Sequence, residues 1–478
     1  MADFLLTKLQ RGEKMSFREQ VLLTFFLSFP AMLAQISSIV MQYIDASMVG
    51  HLGALDSAAI GLVSSSTWLF GGVCMASTTG FTVQAAQYIG GGEDHKARNV
   101  MKQGLICTFL LSFLILLAAV AISGRLPVWL GGSAEITGKA SRYFLIYMLA
   151  IPAFQIDSIA GGMIQSSGNM KVPSILNIMA CFLDVIFNTL LIFPGRVIRL
   201  SAPVFLPDAV RSVWAHGFFF PGAGMGITGA ALGTALSELV IALMMLYYLL
   251  FRCKKMHLRR EEKLQFSKFE LTRAVKIAVP VGLEQIMMSG AQVVATTIVA
   301  PLGTISIAAN SFAVTAESFC YMPGYGIESA ATTLVGQSIG AGRKDMARRL
   351  AWISTGLGMV IMTGMGILMY LAAPTMIGVL SPDPEIRELG AAVLRIEAFA
   401  EPLFAASIVA SGALRGAGDT LVPSCMNFLS MWAVRLSLAA YLAPRMGLRG
   451  VWTAMCIELC VRGTIFLIRL KGKRWMKK

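Results

Sequence analysis

Long apolar runs recur from one end of the chain to the other. Each is bounded by glycine, proline or charge, and each is near the roughly 20 residues a helix needs to cross a bilayer. They predict twelve helices: Val21–Ile44, Ser57–Ile89, Gly104–Ser123, Ala140–Gln165, Val172–Phe193, Gly226–Phe251, Thr272–Ala300, Ile305–Ile339, Leu350–Ala373, Gly390–Leu414, Leu421–Leu442 and Val451–Leu470. The expected class is therefore an all-α integral membrane protein, since a helix satisfies its own backbone groups in lipid. Residues 1–20 mix charged and apolar positions and read as an interfacial lead-in; a cleaved leader would be a single short apolar segment.

Sliding the chain on itself exposes an internal repeat. Pro30 matches Pro280, Gln35 matches Gln285, Gln42 matches Gln292 and Gly53 matches Gly303, each at an offset of 250 residues. The register holds through Gln87 and Gln337, Gly90 and Gly340, Arg98 and Arg348, Pro152 and Pro402, Gly168 and Gly418, and Asn177 and Asn427. It breaks after the fifth helix. There Gly226-Ile-Thr-Gly229 resembles Gly447-Leu-Arg-Gly450 at an offset of 221, so the first half carries an insert at about 194–220, expected to be an external loop or small hairpin. The expected division is a lead-in at 1–20, an N-terminal six-helix bundle at 21–251, a basic linker at 252–271, a C-terminal six-helix bundle at 272–470 and a basic tail at 471–478. Six spans per repeat bring both halves in from the same side. Their pseudo-twofold axis then runs along the membrane normal, and the two pseudo-symmetric bundles enclose a central cleft, the geometry alternating access requires.

Composition agrees with lipid as the main solvent: 56% of residues are hydrophobic and 14% charged, too little polar surface to coat a water-facing globule. The net charge of +14 raises nucleic acid as a partner. Its distribution argues against that. Lys8, Arg11, Lys14 and Arg18, the run from Arg252 to Lys276, the group Arg343, Lys344, Arg348 and Arg349, and the tail from Arg469 to Lys478 each sit beside an apolar segment, without interleaved aromatics. With the N-terminus in the cytoplasm, cytoplasmic segments hold most of the Lys and Arg. An even number of spans returns the C-terminus to the same side, so a multi-pass plasma-membrane protein with both termini cytoplasmic is expected (the inner membrane, if the cell has two). Seven of the eight cysteines fall in apolar runs, with no CxxC spacing, and read as packing residues.

The chain has no HExxH, GxSxG or GxxxxGK[ST] pattern, so it is not expected to be an enzyme or to hydrolyse ATP. An ion gradient, H⁺ or Na⁺, is the expected energy source, with no organic cofactor. Such coupling needs ionisable groups at membrane depth, where a charge is costly and rarely kept without use. Gln35, Ser38, Gln42 and Asp45 form one polar stripe on the first helix, and Gln285, Ser289 and Gln292 repeat it on the seventh. Asp45 matches Ala295, so the acid stands where the halves stop being equivalent; the alternative is a solvated acid near the external interface. Asp184 and Asn188 are one turn apart on the fifth helix, opposite Val434 and Leu438 of the second repeat. They suit either an ion site shared with Asp45 or a packing hydrogen bond. Na⁺, if it binds, is expected at Asp45, Asp184 and Asn188. Candidates for the substrate cleft are Gln35, Gln42, Glu284, Gln285, Gln292, Glu317 and Glu401. Glu328 lies close to a helix end, where solvation is an equal reading, and Arg435 and Arg462 are read as structural, pairing with Glu458 or snorkelling.

These residues resemble the multidrug and toxic compound extrusion (MATE) family over nearly the whole chain, from about Pro30 to Leu470. The most specific pieces are Ile44-Asp-Ala-Ser-Met-Val-Gly-His-Leu-Gly53, Gly226-Ile-Thr-Gly-Ala-Ala231, Thr333-Leu-Val-Gly-Gln-Ser-Ile-Gly-Ala-Gly342 and Leu414-Arg-Gly-Ala-Gly-Asp-Thr420. The resemblance implies a V-shaped cleft between two six-helix bundles and export of organic cations or other amphipathic small molecules against H⁺ or Na⁺. It implies that Asp45 is the coupling carboxylate. On the fifth helix the family often shows Asn before Asp, and here the order is reversed. The acid pair that one Na⁺-driven branch carries on its seventh and tenth helices falls on Met288 and Phe404. An alternative on the same architecture is a flippase or exporter of a lipid-linked or metabolic precursor. Intramembrane acids outnumber bases, which favours cationic or neutral cargo. A complete cleft in one chain makes a monomer sufficient, with membrane lipid and small organic substrates as partners.

Overall fold

A computed structural model describes residues 1–198, 218–259, 262 and 264–476. After a short helix, Ala2–Gln10, the described residues form twelve long helical segments: α1 Phe17–Gly50, α2 Ala54–Gly90, α3 Asp94–Ile122, α4 Ala134–Ser166, α5 Lys171–Ile192, α6 Ile227–Arg252, α7 Lys268–Val299, α8 Thr304–Gly340, α9 Lys344–Leu380, α10 Pro384–Gly416, α11 Leu421–Met446 and α12 Leu448–Lys471. Ten are long and apolar enough, among the described residues, to cross a membrane on length and composition alone. The other two are α8, whose middle carries Glu317 and Glu328, and α10, whose first part carries Glu385, Arg387, Glu388, Arg395 and Glu397. They complete the twelve transmembrane helices of a two-bundle membrane protein.

Most helices run past the apolar runs that predict them, because a hydrogen-bond ladder does not stop where lipid does. Ser16 caps α1 by accepting from the Glu19 amide while the Glu19 side chain accepts from the Ser16 amide, so α1 begins four residues before its apolar stretch. Helix α3 begins ten residues early, at Asp94, with a polar turn that carries Arg98 and Lys102. Helix α4 breaks at Ala150 and α10 at Ala398–Ala400, each just before a proline, Pro152 and Pro402, that lacks the amide a continuous helix needs. These breaks are repeat-related.

The twofold relation shows in the packing. Across the divide α1 packs on α8, and its repeat counterpart α7 packs on α2. Gly326 of α8 lies against the α1 backbone at Met32, and in the related place Gly282 of α7 lies against Ala76 of α2. The closest approach is between the ends of α2 and α8, where Gly90 meets the Gln337 carbonyl and Gly340 meets that of Gln87, with no room for a β-carbon at either glycine. At the other ends of these helices Gly53 and Gly303 have open space around them. The halves therefore join at one end and part at the other, forming the V-shaped cleft. Where the register breaks, Pro194–Ile198 (β1) pairs antiparallel with Phe218–Ala223 (β2), joining α5 to α6; residues 199–217 of the insert lie outside the described residues.

Candidate functional site

Asp45 lies on the far half of α1, toward the open mouth, and its partners come from α5. Asn188 Nδ2 donates to Asp45 Oδ1 at 2.9 Å and to Asp184 Oδ2 at 2.9 Å, so one amide nitrogen bridges two carboxyls. The carboxyls are within hydrogen-bonding reach of each other. Ser237 Oγ, on α6, lies 3.2 Å from the other Asp184 oxygen. Asp184, Asn188 and Ser237 are buried and Asp45 is half-buried, so the acid of α1 is the member nearest the cleft. Gly233 makes the packing possible: a β-carbon there would occupy the place of Asn188 Oδ1.

The chemistry of this set follows from its charge. Two carboxylates in contact, away from bulk water, repel strongly, and a single positive ion between them removes the repulsion. Asn188 fixes both carboxyls while leaving its own Oδ1 buried without a hydrogen-bond partner among the described residues. Oxygen donors of this kind suit a proton or a hard monovalent cation.

Sequence reasoning that followed the repeat missed two further acids. Asp157 of α4 and Glu238 of α6 are half-buried in the same bundle, each within electrostatic range of the other, and Glu238 also feels Asp184. Tyr143 lies within electrostatic range of Asp45 and Asp184, and Tyr147 within that of Glu238. Both acids sit inside predicted spans, so a scan of every intramembrane charge would have found them.

The polar residues expected at the cleft have separate fates. Gln42, Gln285 and Gln292 are exposed and Gln35 is half-buried, while the stem of Gln285 packs onto Gly72. Glu284, Glu317 and Glu401 are buried inside the C-terminal bundle and do not line the open cleft; Glu284 meets partners on neighbouring helices, whereas both Glu401 oxygens are buried without a hydrogen-bond partner among the described residues. Glu284 accepts from Asn427 at 2.6 Å, Ser424 at 2.7 Å and Arg415 at 3.3 Å, and Arg415 also bonds Glu328 at 2.8 Å. Glu317 contacts Glu397, a fully buried acid that sequence reasoning also missed, and lies within electrostatic range of Glu401. Arg462 pairs with Glu458 one turn away at 3.0 Å, the structural role expected for it. Among the described residues no group of His, Cys, Asp and Glu is arranged to hold a metal ion by itself.

A helical membrane protein of two repeat-related bundles parted by a cleft, with Asp45 and Asp184 bridged by one amide in the first of them, is a transporter in class. The sequence pattern of the MatE family matches residues 30–190 and 280–441, in step with the internal repeat. The chain belongs to the MatE family, whose members are transport proteins rather than enzymes. It is 26% identical over 459 residues to a probable multidrug resistance protein NorM of Thermotoga maritima, covering 95% of this chain and 92% of that protein. It is 22% identical over 464 residues to the multidrug resistance protein MdtK of Yersinia pestis, covering 95% and 94%. In fold it resembles a MOP superfamily transporter from Pyrococcus furiosus, with a TM-score of 0.85, 18% identity and 98% of both chains covered. It also resembles the Vibrio cholerae MATE transporter VcmN in its bent form, with a TM-score of 0.81, 17% identity, and 95% and 97% covered.

Proposed function

We propose that this MATE transporter is a cation-coupled antiporter that exports organic cations, drugs or other amphipathic small molecules across the plasma membrane, with both termini in the cytoplasm. The coupling ion, H⁺ or Na⁺, binds at Asp45, Asp184 and Asn188, and a single chain suffices. The observation that carries this reading is the Asn188 amide held between two carboxyls in the bundle that has lost symmetry with its copy. Relatives over nearly the full length are named as multidrug resistance proteins, which supports the cargo class. Loading an ion between the carboxyls changes the charge at the cleft side of α1. A ligand shifts a two-state equilibrium only through its differential affinity for the two states, and a carboxyl pair whose geometry depends on α1 supplies that difference.

The test is ethidium transport in proteoliposomes under a pH gradient alone and under a Na⁺ gradient alone, with wild type and Asp45→Asn. One gradient should drive accumulation in the wild type. Asp45→Asn should lose it by about tenfold or more, as expected when an interaction worth about 1.4 kcal/mol or more is removed. Unimpaired gradient-driven transport by Asp45→Asn would exclude this site as the coupling centre.

A further inference from the structure

The helix Ala2–Gln10 takes no part in the ion site, yet it is tied into the closed end of the cleft from both halves. Leu5, Leu6 and Leu9 are buried in a cluster with Leu23 and Leu27 of α1 and Met170 at the start of α5. From the other half come Ala330 and Leu334 of α8, with Met346 and Leu350 of α9. Leu6 fills the space beside Gly168, where a side chain would not fit. Gln10 sits between the halves: its Nε2 donates to Gln337 Oε1 of α8 at 2.9 Å, and its Oε1 accepts from Lys255, in the linker after α6, at 2.5 Å. Arg343, between α8 and α9, donates to the Leu9 carbonyl at 3.1 Å and to the Glu13 carbonyl at 2.9 Å, at and just beyond the end of the helix. Exposed Phe4 and Arg11 lie off this contact.

Gln337 is itself one of the residues that close the cleft, since its own Nε2 donates across the divide to the Ser166 carbonyl at 2.7 Å. The short helix therefore bonds to a gate residue, to the linker of one half and to the α8–α9 turn of the other. Opening this end must separate Leu334 and Met346 from Met170 and Leu23, and the helix cannot keep both sets of contacts.

We propose that Ala2–Gln10 is a clasp: seated, it holds the arrangement with this end closed, and it must leave the α8–α9 side when this end opens. Lys8 pairs with Glu19 of α1 at 2.7 Å and ties it to the other half, while on the α8–α9 side its attachment is leucine packing, one bridging glutamine and one arginine. That is small enough to be released in each cycle and large enough to bias the equilibrium between the two arrangements.

The experiment ties the helix down. Cys425, an exposed native cysteine, is replaced by serine, and Glu13→Cys with Arg343→Cys is joined by a short methanethiosulfonate cross-linker that reductant reverses. In proteoliposomes the cross-link should slow ethidium turnover about tenfold or more, and reduction should restore it. Spin labels carried on unnatural amino acids at Leu55 and Ile305, on either side of the open mouth, should report one distance in the linked protein and an added shorter component in protein that was never linked. In the complementary arm, Leu6→Asp with Leu9→Asp should enrich the shorter component about tenfold without any cross-link. A linked protein that keeps full turnover, or that still populates the shorter distance, overturns the clasp. If the unlinked protein moves no ethidium under any gradient, the transport reading is what fails. The spin-label distances then decide the clasp alone, and should the double aspartate variant not fold, the cross-linked chain still decides it.

Discussion

Gln87 and Gln337 occupy one place in the two repeats and reach across the divide in opposite directions. Gln87 Nε2 donates to the Gly416 carbonyl at 2.9 Å, and Gln337 Nε2 donates to the carbonyl of Ser166, the residue at the related position, at 2.7 Å. The remaining oxygens break the symmetry, for Gln87 Oε1 accepts from Arg273 whereas Gln337 Oε1 accepts from Gln10. The closed end of the cleft thus holds a reciprocal pair of hydrogen bonds from side-chain amides to backbone carbonyls of buried residues, placed where the glycines allow α2 and α8 to touch.

Replacing either glutamine with alanine strands a buried backbone carbonyl, at about 1–3 kcal/mol. Gln87→Ala and Gln337→Ala should each raise the accessibility of this end by a similar factor, read as the rate at which a thiol reagent modifies a cysteine placed at Ser166. The two changes together should act less than additively, because loss of one bond already loosens the seam the other closes. Equal reaction rates in wild type and both variants would contradict the assignment of this pair as a closure.

At the ion site, Gly233→Ala tests the fit around Asn188. The new β-carbon meets the amide oxygen and lies 3.0 Å from Asn188 Cγ, so Asn188 must turn away from Asp45. We expect a loss of about 1–3 kcal/mol in thermal unfolding and a fall in gradient-driven transport. Gly61→Ala is the control, since that glycine has open space around it and should change neither quantity.

Arg415 holds two buried acids of the C-terminal bundle, Glu328 at 2.8 Å and Glu284 at 3.3 Å. Arg415→Ala leaves both without their cation and should destabilise the protein by about 3–5 kcal/mol, or prevent its accumulation in membranes. Adding Glu328→Gln to that variant should recover part of the loss, measured as the midpoint of thermal unfolding in detergent. No recovery would mean that Arg415 acts through packing alone.

Outside the spans, the Arg98 guanidinium beside Glu262 holds that carboxyl below its ordinary 4.5. The sign follows from linkage: the pair contributes its full stability above the unfolded value and loses it as pH falls through the lower folded one. Glu262 is a quarter exposed, so the contribution is modest. Wild type should unfold at a higher temperature than Glu262→Gln at pH 6, and the difference should close toward pH 3. A difference that persists unchanged at pH 3 would show that charge is not its source.

Much of this architecture is legible in the order of residues. A helix must bury or solvate its whole surface, so apolar runs near 20 residues announce spans, and a register of 250 maintained from Pro30 to Asn427 announces two copies of one bundle. The loss of that symmetry at Asp45 and Asp184 picks out the acids that the structure brings together. The sequence does not tell which way an acid faces. Glu284, Glu317 and Glu401 have the same surroundings in the chain as a cleft residue would, yet all three are buried, and Glu284 is held inward by Arg415 and Asn427 from other helices. Asp157 and Glu238 join the Asp184 region only because α4 and α6 pack side by side. Spacing along one helix fixes which residues share a face, whereas the partner that face meets is a property of the packed bundle. The span count, the repeat and the identity of the acids therefore belong to the sequence. The shared amide at Asn188, the crossed glutamines and the helix seated between the halves were decided by tertiary contact, since each joins residues more than a hundred positions apart.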